Sequence, residues 1–153
     1  MGVYQLNRTQ SFQQPIDKLW AFICDPKNLI KITPEYMGFD ITSKNLPEEI
    51  YQGMIISYKV SPLLGIKINW ITEITHVQHL AYFVDEQRAG PYKLWHHQHF
   101  LKSTSAGTVM EDIVTYQPPF GFLGSIANTV LIKQKLDEIF DYRQKMLIQL
   151  FGA

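Results

Sequence analysis

Two histidines, His97 and His99, are the side chains of this sequence best suited to chemistry. They lie two residues apart in LWHHQHF, a stretch typical of a β-strand, so both side chains are expected on one face. Their backbone atoms are then about 6.6 Å apart, and two imidazoles at that separation converge on one metal ion or one substrate oxygen. Imidazole also titrates near neutral pH, which suits general acid–base catalysis.

Three interpretations of this pair stay open. A zinc site needs a third ligand such as Asp85 or Asp112, and because the sequence has neither an HExxH motif nor a cysteine pair, no metal and no cofactor is predicted. In the second interpretation, His97 or His99 moves a proton and a carboxylate orients the ring, which makes His97, His99 and Asp112 the catalytic candidates. The third, which we favour, is that both rings are structural and satisfied by hydrogen bonds.

Composition excludes several classes of protein. Of 153 residues, 46% are apolar and 18% charged, which suits one folded domain over residues 1–153 and argues against disorder. Fourteen basic and fourteen acidic side chains cancel, so no strongly basic surface is available for nucleic acid. No apolar run approaches the ~20 residues of a membrane span, and the first residues lack the apolar core of a signal peptide. Cys24 is the single cysteine, so a packed thiol in a cytoplasmic protein is predicted.

The elements that must position these residues follow from the hydrophobic periodicity. A strand is expected over 3–12, a helix opens at Pro15, and a second short helix runs to Ile32 before Pro34. Six further strands are expected at 36–43, 51–60, 65–76, 80–88, 93–102 and 107–117. A long helix, capped by Ser125, closes the chain. The order β-α-α-β-β-β-β-β-β-α predicts an α+β fold in which a curved antiparallel sheet of about seven strands wraps around the C-terminal helix.

Several motifs carry a resemblance to a known superfamily. Trp70 and Thr72 share one strand face, later strands contain FVDEQRAGPYKLWHHQH and MEDIVTYQPPFGFLG, and IFDYR lies in the last helix. With this order of elements, the chain resembles the START-like, Bet v 1-like (SRPBCC) superfamily of helix-grip proteins, and more closely its polyketide cyclase/dehydrase and coenzyme-Q-binding branch. The resemblance implies a deep, mostly apolar cavity between sheet and last helix, which members use for transport, sensing or catalysis. Because a fold does not determine a function, no catalytic motif is carried over.

Strand alternation selects the side chains that face this cavity. The apolar set comprises Leu6, Phe39, Ile41, Met54, Ile56, Tyr58, Ile68, Trp70, Ile74, Phe83, Trp95 and Met110, with Leu131 or Phe140 approaching from the helix. Polar side chains on the same face must find partners once water is removed, so they are the more informative candidates. The ligand-binding residues predicted from both sets are Arg8, Ile56, Tyr58, Ile68, Trp70, Thr72, Phe83, Asp85, Trp95 and Met110.

Arg8 and Asp112 form a predicted charge pair. The resemblance implies that the first and last strands are neighbours, and the two side chains then meet on the inner face. We favour a buried ion pair that fixes the strand register. The alternative is a polar anchor that orients a carbonyl, hydroxyl or carboxylate of a ligand.

The function expected from these residues is non-catalytic binding, for transport, sensing or sequestration, of one small hydrophobic molecule of lipid, quinone, isoprenoid or polyketide type. The alternative is an enzyme resembling a polyketide cyclase, aromatase or dehydratase. There His97 or His99 acts as the acid or base, and Arg8 or Thr72 holds an oxyanion.

A third class is an interaction module whose contact is an exposed apolar patch formed by Leu147, Leu150 and Phe151. Neither a nucleic-acid partner nor membrane insertion is expected, and the chain is predicted to be a monomer or a homodimer.

Overall fold

A computed structural model describes residues 2–61, 65–119 and 131–152 of the protein. The strands are β1 (Tyr4–Phe12), β2 (Asp40–Ile41), β3 (Ile55–Val60), β4 (Ile68–Gln78), β5 (Tyr82–Ala89), β6 (Leu94–Thr104) and β7 (Gly107–Gln117). The α-helices are α1 (Ile16–Ile23) and α2 (Lys133–Phe151), and two short 3₁₀ helices cover Pro26–Ile32 and Glu35–Met37.

The strands form an antiparallel sheet in the order β1-β7-β6-β5-β4-β3-β2. Strands β2 to β7 are neighbours in chain order, with short turns joining β4 to β5, β5 to β6 and β6 to β7, while the helices carry the chain from β1 to the far edge. Register shifts between Ile71 and Thr72 and between Ile74 and His76 interrupt the β4–β5 pairing, and such irregularities bend a sheet. The predicted α+β fold, a curved antiparallel sheet with a C-terminal helix, is confirmed.

The C-terminal helix α2 lies against β1 and the Pro26–Ile32 helix. Its buried side chains, Leu136, Phe140 and Leu147, recur at helical spacing and form one inward face. The start predicted at Ser125 lies outside the described residues. Within the described ranges, no helix has the length and apolar character needed to cross a bilayer.

One predicted strand is wrong over most of its length. The segment 36–43 contributes only Asp40–Ile41 to the sheet, because Glu35–Met37 forms a helical turn that ends at Gly38. Gly38 has a φ of 52°, a left-handed conformation that glycine adopts readily, and it turns the chain before β2 begins. Apolar alternation in so short a stretch does not distinguish a strand from one helical turn.

The predicted apolar contact patch at the end of α2 is also wrong. Leu147 is buried in the core, and the Phe151 ring packs edge-on against the rings of Phe12 and Phe22. Only Leu150 of the three is largely exposed. Two of the three side chains therefore stabilise the docking of α2 and are not available to a partner.

Gly107 is required at the start of β7. Its φ is 134°, and a Cβ there would overlap the backbone carbonyl oxygen of Phe12. We expect Gly107→Ala to lower the free energy of unfolding by about 2–3 kcal/mol, because backbone strain and overlap add. Urea unfolding measures the loss. Gly53→Ala is the matched control, since Gly53 has a φ of 89° with open space around it and so isolates the cost of strain. Equal losses in the two variants would contradict the overlap.

Cys24 is a packed thiol, as predicted, and its side chain is fully buried. Burial, with a smaller effect from the Glu49 carboxylate, raises the pKa of the thiol to about 12. Because the thiolate is the reactive form, we expect iodoacetamide to alkylate the folded protein at pH 8 about a thousand-fold more slowly than a free thiol. Mass spectrometry follows the reaction, and the urea-unfolded chain is the control. Rapid alkylation of the folded chain would show that Cys24 is accessible.

Candidate functional site

A cavity of about 170 Å³ lies between the inner face of the sheet, α2 and the segment 22–37. Strands β2 to β7 and α2 all contribute side chains to its wall, most of them apolar. About 10–15 Å³ of such space holds one water molecule, so the cavity accommodates a ligand on the order of ten non-hydrogen atoms. The predicted hollow between sheet and terminal helix is therefore present.

Most of the predicted site residues lie on the cavity wall. The set comprises Ile56, Tyr58, Trp70, Thr72, Phe83, Asp85, Trp95, His97, His99, Met110 and Asp112, together with Phe39, Ile41, Ile74 and Phe140. Alternation placed them correctly because each strand has one face toward α2. Their roles in binding or catalysis stay predictions.

Arg8 does not form the predicted pair with Asp112. The two residues are directly opposite in the β1–β7 register, as expected, but the guanidinium donates to Asp137 Oδ1 of α2 at 2.6 Å. Its nitrogen also lies 3.5 Å from Asp141 Oδ1. The long Arg8 side chain reaches the surface of α2, where Asp137 and Asp141 are more accessible than Asp112. Arg8 therefore does not line the main cavity.

Four apolar candidates also lie off the wall of this cavity. Leu6 and Met54 are buried in the core, and Ile68, at the first position of β4, pairs with Val60. Leu131 is 56% exposed, so Phe140 is the helix residue that approaches the sheet. Strand alternation gives the face of a residue but not its distance from the end of the cavity.

The strongest polar feature of the wall is a cluster of His97, His99, Asp85 and Asp112. Asp112 Oδ1 lies 3.0 Å from His97 Nε2 and 2.8 Å from His99 Nδ1. Asp85 Oδ2 lies 2.8 Å from His99 Nε2 and 3.4 Å from His97 Nδ1. The imidazole centroids are 3.7 Å apart, so every ring nitrogen faces a carboxylate oxygen. We call these four residues the His–Asp cluster.

Burial separates the titration of the two imidazoles. The pKa of His97 is lowered to about 4, because burial disfavours the imidazolium and His99 adds a like charge. Burial also opposes the charged form of His99, but the hydrogen bonds to Asp112 and Asp85 outweigh it and raise its pKa. The pKa values of Asp112 and Asp85 lie below the usual range, because their imidazole neighbours outweigh burial. The two rings therefore titrate in separate steps, and His99 takes up its proton at a higher pH than His97.

Two buried nitrogen donors, Trp70 Nε1 and Arg143 Nε, belong to residues that line the cavity and have no hydrogen-bond partner among the described residues. Trp70 is only 8% exposed, so its indole is shielded from solvent. The Arg143 guanidinium lies 4.8 Å from the centroid of the Phe140 ring. By contrast, the hydroxyls of Tyr58 and Thr72 bond each other at 2.6 Å. Two residues of the wall thus carry a donor that lacks an acceptor.

Arg143 and Tyr92 are cavity residues that strand alternation did not select. Arg143 follows Phe140 by three positions and precedes Leu147 by four, which places a cation on the buried face of α2. A charged residue at apolar helical spacing was the available signal. Tyr92 lies in the turn between β5 and β6, where alternation gives no guidance, and its ring packs against Trp70 and Trp95.

The remaining histidines lie away from the cavity wall. His96 points to the opposite face of β6 from its neighbours, as alternation requires, and its Nδ1 lies 2.7 Å from the Glu86 carboxylate. His79 is mostly exposed and lies 3.5 Å from Glu49. His76 bonds Thr75, its neighbour in the chain.

No protein-family model and no curated protein matches this sequence. Solved structures do match. One, of a protein from Chromobacterium violaceum, has a TM-score of 0.71 at 14% identity and covers 97% of this chain and 98% of that one. Another, from Rhizobium leguminosarum, has a TM-score of 0.69 at 11% identity and covers 97% and 96%. The Bet v 1 homologue Ara h 8.0201 has a TM-score of 0.60 at 14% identity and covers 97% and 99%. The sheet, the terminal helix and these likenesses show that the chain has the Bet v 1-like, helix-grip fold.

Proposed function

We propose that this protein binds one small, mostly apolar molecule carrying a carbonyl or carboxylate oxygen, and holds it in the cavity unchanged. The observation that carries the proposal is the buried Trp70 Nε1, a donor without an acceptor in a mostly apolar wall. A buried donor left unpaired costs about 1–3 kcal/mol, so an oxygen that accepts from it stabilises the complex. Arg143 Nε offers a second donor on the same wall.

The size and character of the cavity favour small members of the lipid, quinone, isoprenoid or polyketide classes. Covering about 300 Å² of apolar ligand surface at ~25 cal/mol per Å² contributes roughly 7 kcal/mol before the costs of association. That is enough for useful affinity without a covalent bond. A polyphosphate or a free sugar would lose its hydration against an apolar wall and gain few partners there, so these classes are disfavoured.

Native mass spectrometry of the purified protein, followed by organic extraction, tests for a ligand that copurifies. Matched probe pairs then test whether an oxygen on the ligand raises the affinity. The pairs are acetylnaphthalene with ethylnaphthalene and decanoic acid with decane, and displacement of a fluorescent apolar dye measures each affinity. We expect the oxygenated member of each pair to bind at least tenfold more tightly, which corresponds to about 1.4 kcal/mol.

Two tryptophan variants connect that preference to the indole. Trp70→Phe is expected to abolish the preference for the oxygenated probes, because the substitution keeps an aromatic ring but removes the N–H donor. Trp20→Phe is the matched control, since Trp20 Nε1 already donates to Glu49 and Trp20 does not line the cavity. An empty protein that ignores all four probes, or a preference that survives Trp70→Phe, would overturn the proposal.

Catalysis is the second candidate, and the position of the His–Asp cluster on the cavity wall favours it. A cyclase or dehydratase acting on a polyketide-like substrate needs a group that moves protons, and His97 or His99 would supply it. The double variant His97→Gln/His99→Gln separates the two functions. A binder keeps most of its affinity for acetylnaphthalene, whereas an enzyme still binds its substrate but loses turnover.

A further inference from the structure

The His–Asp cluster has a geometry that a hydrogen-bond network alone does not satisfy. Asp112 faces one nitrogen of each ring, His97 Nε2 and His99 Nδ1, at 3.0 and 2.8 Å. An ionised carboxylate only accepts, so each ring nitrogen needs a hydrogen to bond the carboxylate that it faces. The two nitrogens left over, His97 Nδ1 and His99 Nε2, face Asp85 Oδ2 at 3.4 and 2.8 Å.

A neutral imidazole has one N–H, and with that N–H directed at Asp112 the other nitrogen presents a lone pair. At least one of the two nitrogens that face Asp85 then directs a lone pair at the carboxylate oxygen, which has no hydrogen to donate. A proton on one ring relieves one of these contacts and leaves the other. A single cation between the three atoms relieves both.

We propose that Asp85, His97 and His99 bind one divalent transition-metal ion through Asp85 Oδ2, His97 Nδ1 and His99 Nε2. One ligand atom from each of these residues lies within 4.8 Å of the others. Metal–ligand bonds of about 2.0–2.1 Å in a tetrahedral zinc site separate neighbouring ligand atoms by roughly 3.4 Å. His97 Nδ1, at 3.4 Å, already lies at that distance from Asp85 Oδ2, and His99 Nε2, at 2.8 Å, must move away by about 0.6 Å.

Asp112 is the positioning residue of this site. Metal-bound histidines usually donate their second N–H to a carboxylate or carbonyl, which fixes the tautomer and the orientation of the ring. Asp112 occupies that position for both rings at once, and it is 4% exposed. It does not bind the ion itself.

The donor set selects the class of ion. Two imidazoles and one carboxylate suit zinc, iron or cobalt, whereas calcium and magnesium require more oxygen ligands. Three protein ligands also leave a coordination position open, as in catalytic zinc sites. Two carboxylates, a divalent ion and the nearby Arg143 sum to one positive charge, which suits an anionic oxygen from a cavity ligand.

The test uses the untagged protein, stripped with chelator and dialysed, and titrated with Zn²⁺ by calorimetry and with Co²⁺ by visible absorption. We expect one equivalent of each ion and the intense absorption of four- or five-coordinate cobalt. His97→Gln, His99→Gln and Asp85→Asn are each expected to weaken binding at least 100-fold. The surface control His96→Gln is expected to bind within twofold of the wild type.

Asp112→Asn has a different expected signature. The ion affinity falls 10–100-fold, while the cobalt spectrum keeps its shape, because the ligands themselves are unchanged. A merely structural role would instead abolish or alter the spectrum together with the circular dichroism. Circular dichroism on every variant identifies any that fails to fold, and the folded ones among His97→Gln, His99→Gln and Asp85→Asn decide the question.

Two results would overturn the metal site. One is a wild-type protein that leaves cobalt with its weak six-coordinate spectrum and binds Zn²⁺ no more tightly than the His97→Gln/His99→Gln variant. The other is binding that survives in that variant and disappears in His76→Gln or His79→Gln, which would locate the ion at the surface. The naphthalene and decane probes are measured on metal-stripped protein, so failure here leaves the proposed binding function separately testable.

Discussion

Replacing Asp112 with alanine is expected to lower the free energy of unfolding of the metal-free protein by about 3–5 kcal/mol, the range for breaking a buried charged network. Asp112 is 4% exposed and lies 3.0 Å from His97 Nε2 and 2.8 Å from His99 Nδ1, so its loss leaves the two buried imidazoles with one carboxylate of the cluster, Asp85. For a chain of this size the melting temperature should fall by roughly 6–20 °C. Urea unfolding and thermal scans in the presence of chelator measure the change.

Glu111→Ala is the matched control, because it removes a carboxylate from the neighbouring position of β7 on the opposite face. Glu111 is only partly buried, and we expect its variant to unfold within about 0.5 kcal/mol of the wild type. Asp112→Asn keeps the shape and removes the charge, so an intermediate loss is expected. A loss below about 1 kcal/mol for Asp112→Ala would show that the cluster does not stabilise the fold.

Strand periodicity predicted the elements that carry the site with good accuracy. The expected strands 93–102 and 107–117 compare with Leu94–Thr104 and Gly107–Gln117, because buried and more accessible residues alternate along both. That alternation places His97, His99 and Asp112 on one face, and antiparallel pairing brings Asp85 beside them. Where the alternation is short, as around Tyr36, it does not distinguish a strand from a helical turn, and the prediction failed.

What could not be predicted depends on contacts between elements distant in the sequence. The resemblance implied that β1 and β7 are neighbours and that Arg8 meets Asp112, but the partner of the Arg8 guanidinium depends on how α2 is rotated over β1. The same rotation turns Arg143 inward. Helical spacing places Arg143 on the same face of α2 as Phe140 and Leu147, but how that face lies over the sheet depends on packing between elements.

The contact of each aspartate with both imidazoles also could not be predicted from the sequence. Both aspartates were expected to be possible orienting partners of the histidines, but only the folded sheet shows that each contacts both rings. Asp85 on β5 and Asp112 on β7 flank β6 from opposite sides, so the two imidazoles lie between them. The position of Asp85, the third ligand of the proposed metal site, therefore depends on the strand order.

Filling the cavity with Ile56→Trp is expected to weaken binding of acetylnaphthalene at least 100-fold, or by about 2.7 kcal/mol. Ile56 is 6% exposed and lies on the cavity wall opposite Thr72 in the β3–β4 register. An indole there takes up space that the ligand otherwise fills. Because the added ring enters the cavity and not a packed region, we expect stability to change by no more than about 1 kcal/mol, less than overpacking a filled core costs. Dye displacement and urea unfolding measure the two quantities.

Ile55→Trp provides the matched control one position earlier in the same strand. Ile55 is 52% exposed and points to the outer face, so the same substitution adds the same indole without entering the cavity. Its affinity for acetylnaphthalene should stay within twofold of the wild type. If Ile56→Trp folds normally and binds as tightly as Ile55→Trp, the ligand does not occupy the space between the sheet and α2. The docking site would then have to be sought on the outer surface of the protein.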